Sequence, residues 1–181
     1  MSHPSMFDLA HRRLLLFWVL CVIGLVLPWL VAGLEWRPTL LGGGVERNCH
    51  VSSIHDGDTL RAVCEGERLK VRLYCIDAPE MAQPPWGRES RDHLRRITPR
   101  EIVLRVRDTD RYGRKVGEIL TSDGENLNQR MVADSQAAVY PRYCKDGAYF
   151  RLQDEARVHR VGIWERPGSQ QTPWEYRRAN K

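Results

Sequence analysis

Hydrophobic residues are distributed in two ways along this chain: one unbroken apolar run near the N-terminus, and short alternating runs after Asn48. The run from Leu14 to Leu34 contains no charged residue, and its 21 positions at a rise of about 1.5 Å each span roughly 31 Å, a bilayer's hydrocarbon thickness. It predicts a transmembrane helix, because no polar face exists in it and Trp18 and Trp29 stand toward its two ends. His11, Arg12 and Arg13 precede it, so the positive-inside rule keeps residues 1–13 in the cytoplasm and exports the rest. Val31, Ala32 and Gly33 also fit the small residues before a signal-peptide cut. Anchor and cleaved signal at 14–34 both export the chain beyond residue 34.

Residues 35–47, with Pro38 and three consecutive glycines, read as a flexible tether, and the domain is expected to begin near Asn48. Cys49 to Ile54 and Thr59 to Cys64 flank the turn signal Asp56-Gly57 and predict a β-hairpin. From Leu69 to Ile76, Leu69, Val71, Leu73 and Cys75 alternate with Lys70, Arg72 and Tyr74, which predicts a third strand with Arg72 facing away from the core. Pro85 and Pro99 bracket a short amphipathic helix. Ile102 to Val106 and Val116 to Leu120 make a second hairpin around a polar turn. Leu127 and Met131 mark a helix capped by Asn126, and Tyr149, Leu152, Ala156 and Ile163 line a final one. The sum is an α+β domain at 48–166, a five-stranded OB-type barrel with three helices, preceded by the transmembrane helix and followed by a tail at 167–181.

Composition adds little to this. At 181 residues the chain has room for one ordinary domain and an appendage, not for two independent cores. Lys and Arg number 28 against 23 Asp and Glu, a formal charge of +5, which favours an anionic partner only weakly. The cysteines say more. Directly paired residues of an antiparallel hairpin have a constant sum of numbers, and the ladder centred between Asp56 and Gly57 sets Cys49 opposite Cys64. An exported domain can keep such a bond oxidised. Cys75 and Cys144 are left as candidates for a second pair, with Cys21 in the apolar run. No CxxC or His-rich spacing supports a metal role for them.

Three clusters carry chemistry: Ile54-His-Asp-Gly-Asp-Thr59, Val71-Arg-Leu-Tyr-Cys-Ile-Asp-Ala-Pro-Glu80 and Asp108-Thr-Asp-Arg-Tyr-Gly-Arg114. Taken singly, each is more often a solvated turn or loop entrance than a site. Together they supply what phosphodiester hydrolysis needs: charge neutralisation, an activated water and help for the departing oxygen. Asp58 and Asp77, at the ends of adjacent strands, can converge on one Ca²⁺, a cation that takes oxygen ligands. Arg72 and Arg114 offer planar forks of donors to phosphate oxygens. Glu80, just past rigid Pro79, is placed to orient or deprotonate the attacking water.

Asp56-Gly-Asp-Thr59, Val71-Arg72 leading into Asp77-Ala-Pro-Glu80, Asp110-Arg-Tyr-Gly-Arg114, Leu127-Asn128 and Gly162-Ile-Trp164 resemble the staphylococcal nuclease-like family over roughly Cys49 to Glu165. The resemblance implies an OB barrel and Ca²⁺-dependent cleavage of single-stranded DNA and RNA that leaves 3′-phosphate ends. By motif, Asp58 and Asp77 match the metal-binding carboxylates, Arg72 and Arg114 the phosphate-clamping arginines, and Glu80 the general base. Asp56 matches an acid near the metal that is not a constant ligand. Arg111 stands where the family's lysine is thought to contact a nucleotide phosphate, and Tyr112 is the clearer candidate for stacking on the substrate; Tyr140 and Tyr143 fall near expected base-stacking tyrosines. Ala78 replaces a threonine whose backbone carbonyl makes the contact, so metal binding is expected to survive. The loop after Glu80 is shorter and is stiffened by Pro84 and Pro85. The expected protein is a membrane-tethered nuclease acting outside the cytoplasm; its rival is a non-catalytic nucleic-acid-binding module at the membrane surface. Oligomeric state is not legible.

Overall fold

The computed structural model describes residues 45–181 and, ahead of them, Trp18 alone. Residues 1–13, all of the expected membrane segment 14–34 except Trp18, and the tether up to residue 44 lie outside the described residues. Among the described residues no helix is long and apolar enough to cross a membrane.

Alternation builds the barrel. In β2 (Thr59–Cys64) the side chains of Leu60, Ala62 and Cys64 are buried and Arg61 is exposed; in β3 (Glu67–Leu73) Leu69, Val71 and Leu73 are buried and Lys70 is exposed. Each aliphatic side chain so buried contributes roughly 1.5–3 kcal/mol, and a one-residue slip would drive Arg61 and Lys70 inward instead. With β1 (Val45–Ile54), β5 (Glu101–Thr109) and β6 (Lys115–Leu120) these strands close in the order β1-β2-β3-β6-β5, and β5 returns to β1. Of the barrel's pairings only β3 with β6 is parallel. This is the expected five-stranded barrel.

Four details differ from the expectation. β1 starts at Val45, inside the segment read as tether, because Val45, Glu46 and Arg47 pair with Val106, Arg105 and Leu104 of β5. The single strand expected over Leu69–Ile76 breaks after Leu73: Cys75 takes a left-handed backbone (φ 68°), and Ile76 and Asp77 form β4 (Ile76–Asp77), which leaves the barrel to pair with β7 (Ala138–Val139). The buried Asn128 amide stabilises the break by donating to the carbonyls of Tyr74 and Gly117, 3.0 Å each.

Helix α1 (Trp86–Ile97) fills the interval between the two prolines, and α2 (Leu127–Ala133) is capped as expected by Asn126, whose side chain accepts from the N–H groups of Asn128 and Gln129. The third difference is that α3 (Gly147–His159) stops before Ile163: Arg160 adopts φ 52°, and Ile163 sits in a separate 3-10 turn, Gly162–Trp164. The fourth is the segment expected as a tail. It folds into a 3-10 turn, Ser169–Gln171, and a further α-helix, α4 (Pro173–Ala179). Pro173 suits a first helical turn because no partner exists there for the missing N–H, and the buried Gln170 amide anchors the approach on the carbonyls of Ile163 (3.2 Å) and Arg166 (2.6 Å).

Both cysteine pairs form. Cys49 lies opposite Cys64 in the β1–β2 ladder and is bonded to it, with α carbons 4.1 Å apart; Cys75 is bonded to Cys144.

Candidate active site

The turn between β1 and β2 is shaped to deliver Asp58. Its N–H donates to Asp56 Oδ1 (3.1 Å), an Asx turn that a short carboxylate makes readily. Gly57 is required at the apex, since a Cβ there would come within 1.9 Å of Ser90 Oγ on α1 and 2.7 Å of Ala78 Cβ. That close approach lets Asp58 Oδ2 accept the N–H of Ala78 at 2.7 Å, while Oδ1 accepts the Thr59 hydroxyl at 3.0 Å. Across the ladder Thr59 pairs with Arg72, whose outward side chain reaches back over the turn.

Arg72 is where the site converges. Its Nη1 lies 3.0 Å from Asp58 Oδ2 and its Nη2 2.5 Å from Asp77 Oδ1, so one guanidinium joins carboxylates delivered by the β1–β2 turn and by β4. Asp77 is wholly buried, and its second oxygen accepts from Arg177 of α4 at 2.8 Å. Arg177 also donates to Glu80 Oε1 at 2.6 Å. Arg72 thus joins Asp58 to Asp77, and Arg177 links Glu80 to the same group. Arg177 was not anticipated.

The cluster carries surplus negative charge. Asp77 is pushed up to about 6 by burial first and by the charge of Asp58 second, against the pull of Arg72 and Arg177. Asp56 is likewise pushed up to about 6 by burial and then by Asp58. Burial works against the charge of Arg177, but its bonds to Asp77 and Glu80 outweigh that and hold its pKa above the ordinary arginine value.

Among the described residues no group of three or more His, Cys, Asp and Glu side chains could hold a metal ion unaided. The donors nonetheless fit a hard divalent cation in kind. Two carboxylates share one guanidinium, nearby acids repel one another, and a cation such as Ca²⁺ completes its oxygen shell with water and backbone carbonyls.

Arg111, Tyr112 and Arg114 occupy the turn between β5 and β6, which Asp110 organises. Asp110 Oδ1 accepts the N–H groups of Tyr112 (2.9 Å) and Arg114 (3.0 Å), and Oδ2 accepts Arg114 Nε (2.7 Å). Burial would raise Asp110, but those bonds from Arg114 and Tyr112 prevail and lower it. Arg114 therefore pairs within its own turn and not with the acid cluster, and among the described residues its Nη1 and Nη2 make no hydrogen bond. Arg72 pairs with Val116 across the parallel seam, and Arg114 stands in the turn just ahead of β6, two residues before Val116. Tyr112 is 70% exposed, with the Arg111 and Arg114 guanidinium carbons 5.0 and 5.7 Å from its ring centre; its ring does not pack into the barrel. Tyr143 is exposed too, whereas Tyr140 is stacked on Trp174 of α4 (4.9 Å, 6° between planes).

Sequence reasoning missed Arg177, Trp174 and Gln83. The signal for the first two was the Thr172-Pro173 helix start alone.

Residues 70–166 match the family described as staphylococcal nuclease homologue. A micrococcal nuclease of Shigella flexneri is 35% identical over 142 residues, covering 72% of this chain and 80% of that one. An uncharacterized endonuclease of Escherichia coli O157:H7 is 35% identical over 128 residues, covering 70% and 82%. A staphylococcal-like nuclease of Arabidopsis thaliana is 33% identical over 116 residues, covering 64% of this chain and 35% of its own length.

Proposed function

This chain belongs to the staphylococcal nuclease homologue family and is a phosphodiester hydrolase of the endonuclease kind, and we propose that it is a calcium-dependent nuclease that cuts single-stranded DNA and RNA and leaves 3′-phosphate ends. The observation that carries this reading is the Arg72 guanidinium shared between Asp58 and Asp77. In the proposed reaction those two carboxylates would hold Ca²⁺, and the ion would supply Lewis-acid neutralisation of the phosphate. Arg72 and the Nη edge of Arg114 donate to the non-bridging phosphate oxygens, more strongly as charge builds in the five-coordinate transition state. Glu80 accepts the proton of the attacking water as its oxygen bonds to phosphorus and the 5′-oxygen departs. Arg111 lies along the phosphate backbone and Tyr112 stacks on a base or sugar.

The purified full-length chain is expected to cut a single-stranded oligonucleotide when Ca²⁺ is added, to stop once a chelator is present, and to yield ends that a 3′-phosphatase removes. Intact oligonucleotide at saturating Ca²⁺, with binding retained, would favour the non-catalytic nucleic-acid-binding module.

We also propose that the domain works outside the cytoplasm, tethered through residues 14–34. The uncharged run supports the tether, and two disulfides suit an oxidising compartment. Protease added to cells with a permeable outer surface should digest the domain while a cytoplasmic marker survives. Protection equal to the marker's would place the domain inside.

A further inference from the structure

Glu80 stands on a short loop, and the group that holds its carboxylate comes from the far end of the chain. The loop's backbone is closed by Gln83, whose side-chain oxygen accepts the Glu80 N–H and whose own N–H donates to the Glu80 carbonyl, 2.8 Å each. Gln83 in turn donates to the Ser169 hydroxyl (3.1 Å), and the Tyr176 hydroxyl donates to the Ala82 carbonyl (3.3 Å). The carboxylate itself is met by Arg177 Nη1 at 2.6 Å, while Nη2 of the same guanidinium reaches Asp77 at 2.8 Å. Trp174, one turn earlier on α4, is stacked on Tyr140. All the α4 and 3-10 residues among these contacts lie beyond residue 166, where the match to the family ends.

We propose that Arg177 is a positioning residue for the nuclease reaction, fixing the Glu80 carboxylate at a set distance from Asp77 so that the proton acceptor faces the attacking water. The proposal rests on the reading of Glu80 as that acceptor. An exposed ion pair would not hold a geometry, because solvent screens it and side-chain entropy opposes it. Arg177 differs in that its other arm is bound to Asp77, which is fully buried and cannot exchange that partner for water. Glu80, 38% exposed, is thereby tied to a fixed point.

Charge argues that Arg177 and a divalent cation are held together and do not compete for the acids. Asp56, Asp58, Asp77 and Glu80 bring four negative charges when ionised, and Arg72 and Arg177 bring two positive ones. The two negative charges left over are what one dication would neutralise.

The test uses the full-length chain with Arg177→Met, which keeps an unbranched stem without the charge, and Arg177→Lys, which keeps the charge without the fork. Turnover and KM on single-stranded DNA are measured at saturating Ca²⁺, and Ca²⁺ affinity is measured by calorimetry without substrate. For Arg177→Met, kcat is expected to fall by about 10- to 10²-fold, as small misplacements of a reacting group do. KM should move by less than about threefold, the mark of an interaction used in the transition state. Ca²⁺ should bind as tightly as before or more tightly, since a positive charge has left Asp77, and Arg177→Lys should recover part of the turnover.

Unchanged turnover would make Arg177 a bystander, and raised turnover would make α4 an obstruction over the site; either overturns the proposal. So would a loss of turnover accompanied by weakened Ca²⁺ binding, which marks damage to the acids themselves; because losing an ion pair to buried Asp77 lowers the melting temperature in any case, kcat is read at a temperature where the variant stays folded. A wild-type chain that fails to cut would sink the nuclease reading itself, whereas equal cutting by wild type and Arg177→Met sinks only the role of Arg177.

Discussion

Arg72→Ala should lower turnover by a factor of about 10² or more, the usual cost of deleting one transition-state donor. In the proposed mechanism the substitution removes a donor to the phosphate, and it also removes the group that joins Asp58 to Asp77. Two effects must therefore be separated. Losing one partner of a buried ion pair destabilises by about 3–5 kcal/mol, and Asp77, with no exposed surface, would keep only Arg177. Urea unfolding of the variant measures that part, and kcat at a temperature where the variant stays folded measures the rest. Arg72→Lys should retain more stability than activity, because an ammonium keeps the charge but cannot span two carboxylates and a phosphate with one plane of donors. Wild-type turnover in a folded Arg72→Ala protein would remove this arginine from the chemistry.

The second large effect is expected on stability. The bond between Cys75 and Cys144 closes a loop with a sequence separation of 69, and in the chain-entropy description a cross-link of that span stabilises by about 4 kcal/mol. The Cys49–Cys64 bond, with a separation of 15, is worth about 3 kcal/mol by the same relation. Replacing Cys75 and Cys144 together by alanine should therefore shift the urea midpoint more than replacing Cys49 and Cys64. Activity should fall in the same order, since Cys75 immediately precedes the strand that carries Asp77 whereas the β1–β2 bond lies at the far end of its hairpin from Asp58. Equal midpoints for the wild type and the Cys75/Cys144 double variant would refute the assigned stabilisation.

How far these features could be read from residues alone depends on how local their causes are. The opposition of Cys49 and Cys64 comes from a turn signal and the geometry of a ladder, and the register reproduces it. The inward parity of Leu69, Val71 and Leu73 comes from period-two alternation. The break after Leu73 has no such local sign, because the left-handed conformation at Cys75 is imposed by partners distant in the chain: β7, Cys144 and the Asn128 amide. The pairing of Arg114 with Asp110 is local but ambiguous, since a turn with an acid and an arginine four apart suits both a self-contained loop and a phosphate clamp. Arg177 meets acids 97 and 100 positions away, from a helix of 7 residues, too short for periodicity to announce it.

Every barrel strand has a bonded neighbour on both flanks, because β5 returns to β1. A sheet that ended at β1 or β5 would present a row of unsatisfied N–H and C=O groups to any similar chain nearby, inviting strand-to-strand accretion. Ring closure cuts that template down to short stretches, such as residues 67–70 of β3 beyond its three-residue seam with β6, so folded copies crowded together have no full-length β edge on the described barrel by which to recruit one another into fibrils.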